Sequence, residues 1–287
     1  MKRAKERGLR QLHTAKAISS LPCRGASRYA GGNQDEGTMA KHKSGLFDNI
    51  KTLAFALGLA LLFRSFLFEP FHIPSGSMRP GLLEGDFLFV SKYSYGYSRY
   101  SFPFAASVNW MEGRTSDAMP ERGDVIVFRN PDTPSINFIK RVIGLPGDRI
   151  RVLDGRVILN GELLTYDRID DFNFPIPGKP NGPVLRYEEE LPTGKSYEVL
   201  DMTGFGRLDN TKEFLVPEGE IFVMGDNRDD SEDSRAPNGF GYVPREYIVG
   251  RAEIILISFN VFADVSLTDP MSWGELIRGD RFFKVIR

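Results

Sequence analysis

The stretch Phe71-His72-Ile73-Pro74-Ser75-Gly76-Ser77-Met78-Arg79-Pro80 decides how the rest of the chain is read. An apolar segment ends just before it, and turn-forming residues close it. Two hydroxyls flank a glycine, whose backbone reaches conformations closed to other residues. Pro74 and Pro80 stiffen the chain on either side. The arrangement suggests a reactive serine held at a fixed depth just above a membrane. A Ser-Gly-Ser between prolines is, by itself, only a turn signal.

Immediately upstream, Thr52–Phe68 is apolar apart from Thr52, Arg64 and Ser65. As a helix this run would span roughly 25 Å, slightly short of a bilayer crossing. Arg64 lies near its end and can snorkel to the interface, so it costs less than a mid-span charge. On length alone a buried core helix fits as well. No small-x-small site follows, which argues against a cleavable leader. Lys41, Lys43 and Lys51 precede the run, and the positive-inside rule then puts the N-terminus in the cytoplasm and everything after Phe68 outside. Residues 1–44 are basic, lack apolar periodicity and are interrupted by Gly25, Gly31, Gly32 and Gly37; they read as a disordered extension. A basic transit peptide is an alternative, and so is a start at Met39, which leaves Met39–Lys43 as a short basic head.

The chain of 287 residues is long enough for one large or two modest domains. With 37 basic and 38 acidic side chains its charge is nearly balanced, so nothing global argues for nucleic acid. Cys23 is the one cysteine, so no intrachain disulfide can form. Beyond Pro80, short β-like runs at Asp86–Ser91, Val125–Arg129, Asn137–Ile143 and Arg149–Leu159 are punctuated by turn residues. The punctuation is clearest at Arg122-Gly123-Asp124 and Leu145-Pro146-Gly147-Asp148. Strand signals return at Glu220–Met224 and Gly250–Phe259. The expected fold is mainly β: an antiparallel catalytic core (69–159 and 216–268) with an inserted lobe (160–215), preceded by one membrane helix (47–68). The aromatic loop Ser101-Phe102-Pro103-Phe104 is expected to pack on the core or to dip into lipid. The tail, 269–287, suits a final packed segment or an interfacial contact.

A hydrolase needs a nucleophile and a group to deprotonate it. Of the three histidines, His13 and His42 precede the apolar segment, leaving His72 beside Ser77. An extended Phe71–Ile73 points His72 away from Phe71 and Ile73, the wrong face for a Ser–His pair. Lysine is the other option. Alternation puts Phe138, Lys140 and Val142 on one face of a strand, and desolvation there would lower the lysine pKa and leave some amine neutral. A lysine snorkelling at a strand edge explains the same pattern. The acid-rich run Gly225–Arg235 does not fit a calcium loop, because Arg228 stands where a ligand is needed and no Glu closes it. Interleaved Asp and Arg instead suit an ion-paired loop bracing neighbouring strands. No metal or other cofactor is expected.

Taken together and in this order, five features closely resemble bacterial type I signal peptidase, the leader peptidases. They are the apolar anchor, Pro-Ser-Gly-Ser-Met, Arg-Gly-Asp-Val-Ile-Val-Phe, Phe-Ile-Lys-Arg-Val-Ile-Gly-Leu-Pro-Gly-Asp and Gly-Asp-Asn-Arg-Asp-x-Ser-x-Asp-Ser-Arg. The resemblance covers about residues 47–258. It implies a Ser–Lys protease that removes signal peptides from exported preproteins after Ala-x-Ala-type sequences, with Ser77 as nucleophile and Lys140 as general base. It further implies Ser75, with the Ser77 N–H, as oxyanion hole, and Ser231 as a hydrogen-bonding orienter of Lys140. Arg141, Asp226, Arg228, Asp233 and Arg235 are then braces. Phe71, Ile73, Met78, Leu82, Val127, Phe138 and Ile139 are pocket residues. Implied partners are emerging preprotein signal peptides and the bilayer, in an inner membrane with the catalytic part outside; no nucleic acid is implied. Some members have two membrane segments where one is visible here, and residues 1–38 match nothing in the pattern. Other readings are a mitochondrial inner-membrane peptidase, a self-cleaving Ser–Lys repressor protease and an inactive membrane-tethered β scaffold.

Overall fold

The computed structural model describes residues 46–102, 110–116, 118–173, 183–237, 239–263 and 272–286. Residues 1–45, and with them the expected disordered extension, lie outside this set, as do Pro103 and Phe104. The first element is α1 (Leu46–Phe66). It begins before the apolar run and, at 21 residues, is roughly 31 Å long, enough to cross a bilayer core. By length and composition Phe47–Phe66 could span a membrane, and none of it is buried against the rest of the protein. A core helix would be covered.

The chain enters β structure at once, with β1 (Phe68–His72) pairing antiparallel with β2 (Asp86–Ser91). The junction is locked by charge: Arg64 of α1 and the buried Lys92 both bond Glu69, at 2.7 and 2.8 Å. Tyr97 Oη donates to the Phe66 carbonyl at 2.7 Å, and Phe102 packs on Phe66. The large sheet continues with β3 (Val125–Arg129) and β4 (Asn137–Gly144), whose alternating apolar residues serve two faces.

The expected single run Arg149–Leu159 is instead a hairpin, β5 (Arg149–Leu153) and β6 (Arg156–Leu159). Asp154 and Gly155 both take positive φ, 48° and 75°, the two-residue turn that Asp-Gly favours. Then follow β7 (Glu162–Leu163), β8 (Thr165–Arg168), β9 (Leu185–Glu190), β10 (Ser196–Asp201) and β11 (Phe214–Leu215). The chain returns through β12 (Glu220–Met224), β13 (Val243–Pro244) and β14 (Ile248–Ser258). The large sheet has the order β1-β2-β14-β3-β4-β12-β13, with two small sheets, β11-β5-β6-β7 and β10-β9-β8. The fold class is thus mainly antiparallel β behind one helix. The small sheets draw on residues 149–215, so the hairpin at 149–159 belongs with the lobe.

Three apolar clusters hold these layers. Ile73, Met78, Leu82, Leu88 and Val127 meet on one face of the large sheet. Ile126, Phe128, Val142, Val223 and Phe240 fill the other. Ile150, Val152, Val157, Leu191 and Val199 join the lobe to Ile143 and Phe222. The tail is packed. Arg281 bonds Asp86 at 3.1 and 2.6 Å and the Gly81 carbonyl at 2.8 Å, and Val285 bridges Ile254 of β14.

Candidate active site

Ser77 sits in a one-turn 3-10 helix, Gly76–Met78, four residues past the end of β1. The turn is compact because Arg79 folds back beneath it to pair with Glu84, Nε to Oε2 at 2.8 Å. A Cβ on Gly76 would lie 2.8 Å from Arg79 Nε, so a larger residue there would displace the Arg79–Glu84 pair. Lys140 projects from β4 on the Phe138 side, its Nζ 5.8 Å from the centre of that ring. Nζ and Ser77 Oγ are 2.6 Å apart, and Lys140 is 2 % exposed. Burial drives the lysine pKa from 10.5 down to about 8, although Asp233 and Asp226 pull it upward. An amine that is partly neutral near pH 8, at hydrogen-bond distance from a hydroxyl, can take its proton.

The loop after β12 frames this pair. Asp226 accepts two bonds from Arg141, at 2.8 and 2.7 Å. Asp233 accepts from the Gly225 N–H at 3.0 Å, from Ser231 Oγ at 2.8 Å and from Arg235 at 2.9 and 2.8 Å. Burial works against the Asp233 charge, but Arg235 outweighs it and holds the carboxyl below its usual range. Arg235 also donates to the Arg228 carbonyl at 2.8 Å. There is no room at Gly225: a Cβ would come within 2.2 Å of Ser231 Oγ and 2.6 Å of the Ser77 carbonyl oxygen.

The sequence-derived set divides as follows. Ser77 and Lys140 come together, with Asp226, Asp233 and Arg235 beside them. Ser75 caps the 3-10 turn in extended conformation, its exposed side chain making no capping bond. The direct bond expected from Ser231 to Lys140 is absent among the described residues; its hydroxyl turns to the charged Asp233 carboxylate, a stronger acceptor. Arg141 points away from Lys140, toward Asp226 and over the Tyr197 ring at 4.1 Å. Phe71, Ile73, Met78, Leu82, Val127 and Ile139 share one cluster. Phe138 does not; strand alternation puts it on the opposite face, against Phe128 and Phe240. His72 is exposed, tilted against Phe87, and takes no part.

Other groups escaped sequence reasoning. Glu189 of β9, in the inserted lobe, holds the expected brace Arg228 at 3.0 and 2.6 Å. Glu189 is fully buried and also accepts from Tyr197 Oη. Parity could have found it, since Tyr187, Glu189 and Leu191 fall on one face of an extended strand. Asn227 contacts the nucleophile turn itself, through bonds from its main-chain N–H to the Ser77 carbonyl and from Nδ2 to the Gly76 carbonyl, both 3.1 Å.

Residues 46–257 match the family model described as signal peptidase, peptidase S26. The chain is 36% identical over 246 residues to the signal peptidase I of Rickettsia prowazekii (strain Madrid E), covering 81% of this chain and 91% of that one. Identity and coverage are the same for the signal peptidase I of Rickettsia typhi (strain ATCC VR-144 / Wilmington). A crystal structure of a signal peptidase I from Enterococcus faecalis V583 is 27% identical, with a TM-score of 0.28 over 47% of this chain and 98% of that one. On the extent of the family match and the identity to curated relatives, the chain belongs to the signal peptidase family, peptidase S26.

Proposed function

We propose that this chain is a membrane-anchored serine endopeptidase that removes signal peptides from exported preproteins, cutting after small residues in Ala-x-Ala sequences. The observation that carries the mechanism is the buried contact of 2.6 Å between Lys140 Nζ and Ser77 Oγ. Neutral Lys140 takes the Ser77 proton as Oγ adds to the scissile carbonyl. The Ser77 N–H and the unengaged Ser75 hydroxyl face the developing oxyanion, where such a donor typically contributes about 2.7–4 kcal/mol. The Lys140 ammonium then protonates the departing amine, which leaves as the mature chain. The signal peptide remains as an ester on Ser77. Water, deprotonated by the same lysine, releases it and restores the hydroxyl.

Two features support a peptide substrate. Strand β12 pairs with β4 only from Arg141 onward, so among the described residues Asn137–Lys140 have a partner on the β3 side alone. An extended peptide could add there as a further strand. Phe71 and Ile139 are half-exposed above buried Ile73, Met78 and Leu82, an apolar surface beside Ser77 on which apolar substrate side chains would rest. The test is cleavage of a preprotein carrying Ala-x-Ala before its mature end. Wild type should cut it, and Ser77→Ala and Lys140→Ala should not. Cleavage surviving in either variant overturns the reading.

A further inference from the structure

The peptide unit that joins Gly76 to Ser77 has two polar ends. Its N–H belongs to Ser77 and, among the described residues, donates to no protein acceptor. At the start of a 3-10 turn no carbonyl lies behind that N–H, so it is left free to serve the site. Its C=O belongs to Gly76 and accepts twice, from the Arg79 N–H at 3.1 Å and from Asn227 Nδ2 at 3.1 Å. In a planar trans peptide the C=O and N–H point in opposite directions. Whatever fixes the direction of the carbonyl therefore fixes the aim of the N–H. A donor on the carbonyl also polarises the unit and strengthens the N–H as a donor.

Resting on the Ser77 mechanism above, we infer that Asn227 is a positioning residue for the oxyanion hole: its side-chain amide holds the Gly76 carbonyl so that the Ser77 N–H meets the developing oxyanion. Three further observations carry this. Asn227 is fully buried, and its main-chain N–H bonds the Ser77 carbonyl at 3.1 Å, so one residue grips two successive carbonyls of the turn. The Asn227 backbone is itself pinned to the lobe, where the Leu200 N–H donates to the Asp226 carbonyl at 2.9 Å. Finally, among the described residues Asn227 Oδ1 is buried without a hydrogen-bond partner. Reversing the amide would set Oδ1 against the Gly76 oxygen, so the orientation is determined. An orphaned acceptor is a cost to stability that an apolar side chain would not carry. The side chain is kept for its donor.

The experiment uses the full chain in detergent micelles, comparing wild type with Asn227→Ala and with the near-isosteric Asn227→Asp, which puts oxygen where the donor was. Cleavage of an Ala-x-Ala peptide gives kcat and KM. A peptide aldehyde ending in the same sequence, which forms a tetrahedral adduct on Ser77, gives an affinity for the oxyanion state. Expected are a kcat at least tenfold lower in both variants, a KM within twofold of wild type, and aldehyde affinity reduced by the same factor as kcat/KM. Both variants are assayed below their Tm, since truncating a buried, hydrogen-bonded side chain lowers stability by itself. Unchanged kcat overturns the inference, and so does a lowered kcat with unchanged aldehyde affinity. If Ser77→Ala itself still cleaves, the Ser77 mechanism fails first, and that result is read separately.

Discussion

A free lysine with a pKa near 10.4 carries a proton at neutral pH and cannot receive one from a serine. Burial lowers Lys140 to about 8, so kcat/KM should rise with pH and level off once the amine is neutral, with its midpoint near 8. Lys140→Arg should be as inactive as Lys140→Ala, because a guanidinium is effectively never neutral. A pH–rate profile with an acid limb near 10 would show that burial does not lower the pKa of the base. The same shift has a sign for stability. Unfolded lysine keeps its proton up to about 10.4, whereas the folded site releases it near 8. The buried charge therefore opposes folding fully below pH 8, by roughly 3 kcal/mol at most, and the penalty disappears as pH rises toward 10. Lys140→Met should raise Tm at pH 7 and lose that advantage by pH 10, which a melting series in detergent would check. At Ser75 the expectation is kinetic. Ser75→Ala should lower kcat by about 10²–10³-fold with little change in KM, leaving the Ser77 N–H to sustain residual turnover. A raised KM at unchanged kcat would move Ser75 out of the oxyanion role.

Among the elements, β9 shows how far a site can reach into a lobe that looks inert. Glu188, Glu189 and Glu190 read as an ordinary acidic run, yet Glu189 alone is fully buried, and it pairs with Arg228. Glu189→Gln leaves the Arg228 guanidinium buried and uncompensated, a loss of about 3–5 kcal/mol by analogy with broken buried pairs. Glu190→Gln, on the exposed face, should change stability by less than about 0.5 kcal/mol. Equal Tm values for the two variants would show that β9 does not brace the site loop. Runs such as Asp86–Ser91 and Val125–Arg129 were legible because period-2 alternation is a local property. The site motifs were legible because each is contiguous in sequence. The partners of Arg228 and of the Gly76 carbonyl were not, since they depend on which distant residues the sheets bring together. The break of 149–159 into a hairpin had a signal, Asp154-Gly155, masked by the apolar residues on both sides. Phe138 shares its parity with Lys140 and packs with Phe128 and Phe240 rather than with the cluster of Ile73 and Met78.

For the molecule as a whole, the exposed helix α1 and the lysines before it make a topology that can be tested. A protease added outside spheroplasts should digest the chain after Phe68 and spare a tag at Met39. Digestion of the tag with protection of the 160–215 lobe would invert the orientation and remove access to exported substrates. The order in which the chain is made adds a consequence of the tail packing. Ser77 emerges early in synthesis, Lys140, which it contacts, follows 63 positions later, and the bond from Asn227 to Gly76 closes across 151. Arg281, which ties the Gly81 carbonyl, lies 200 positions beyond it. The groups that frame Ser77 are thus scattered along the chain, and only the folded sheets gather them.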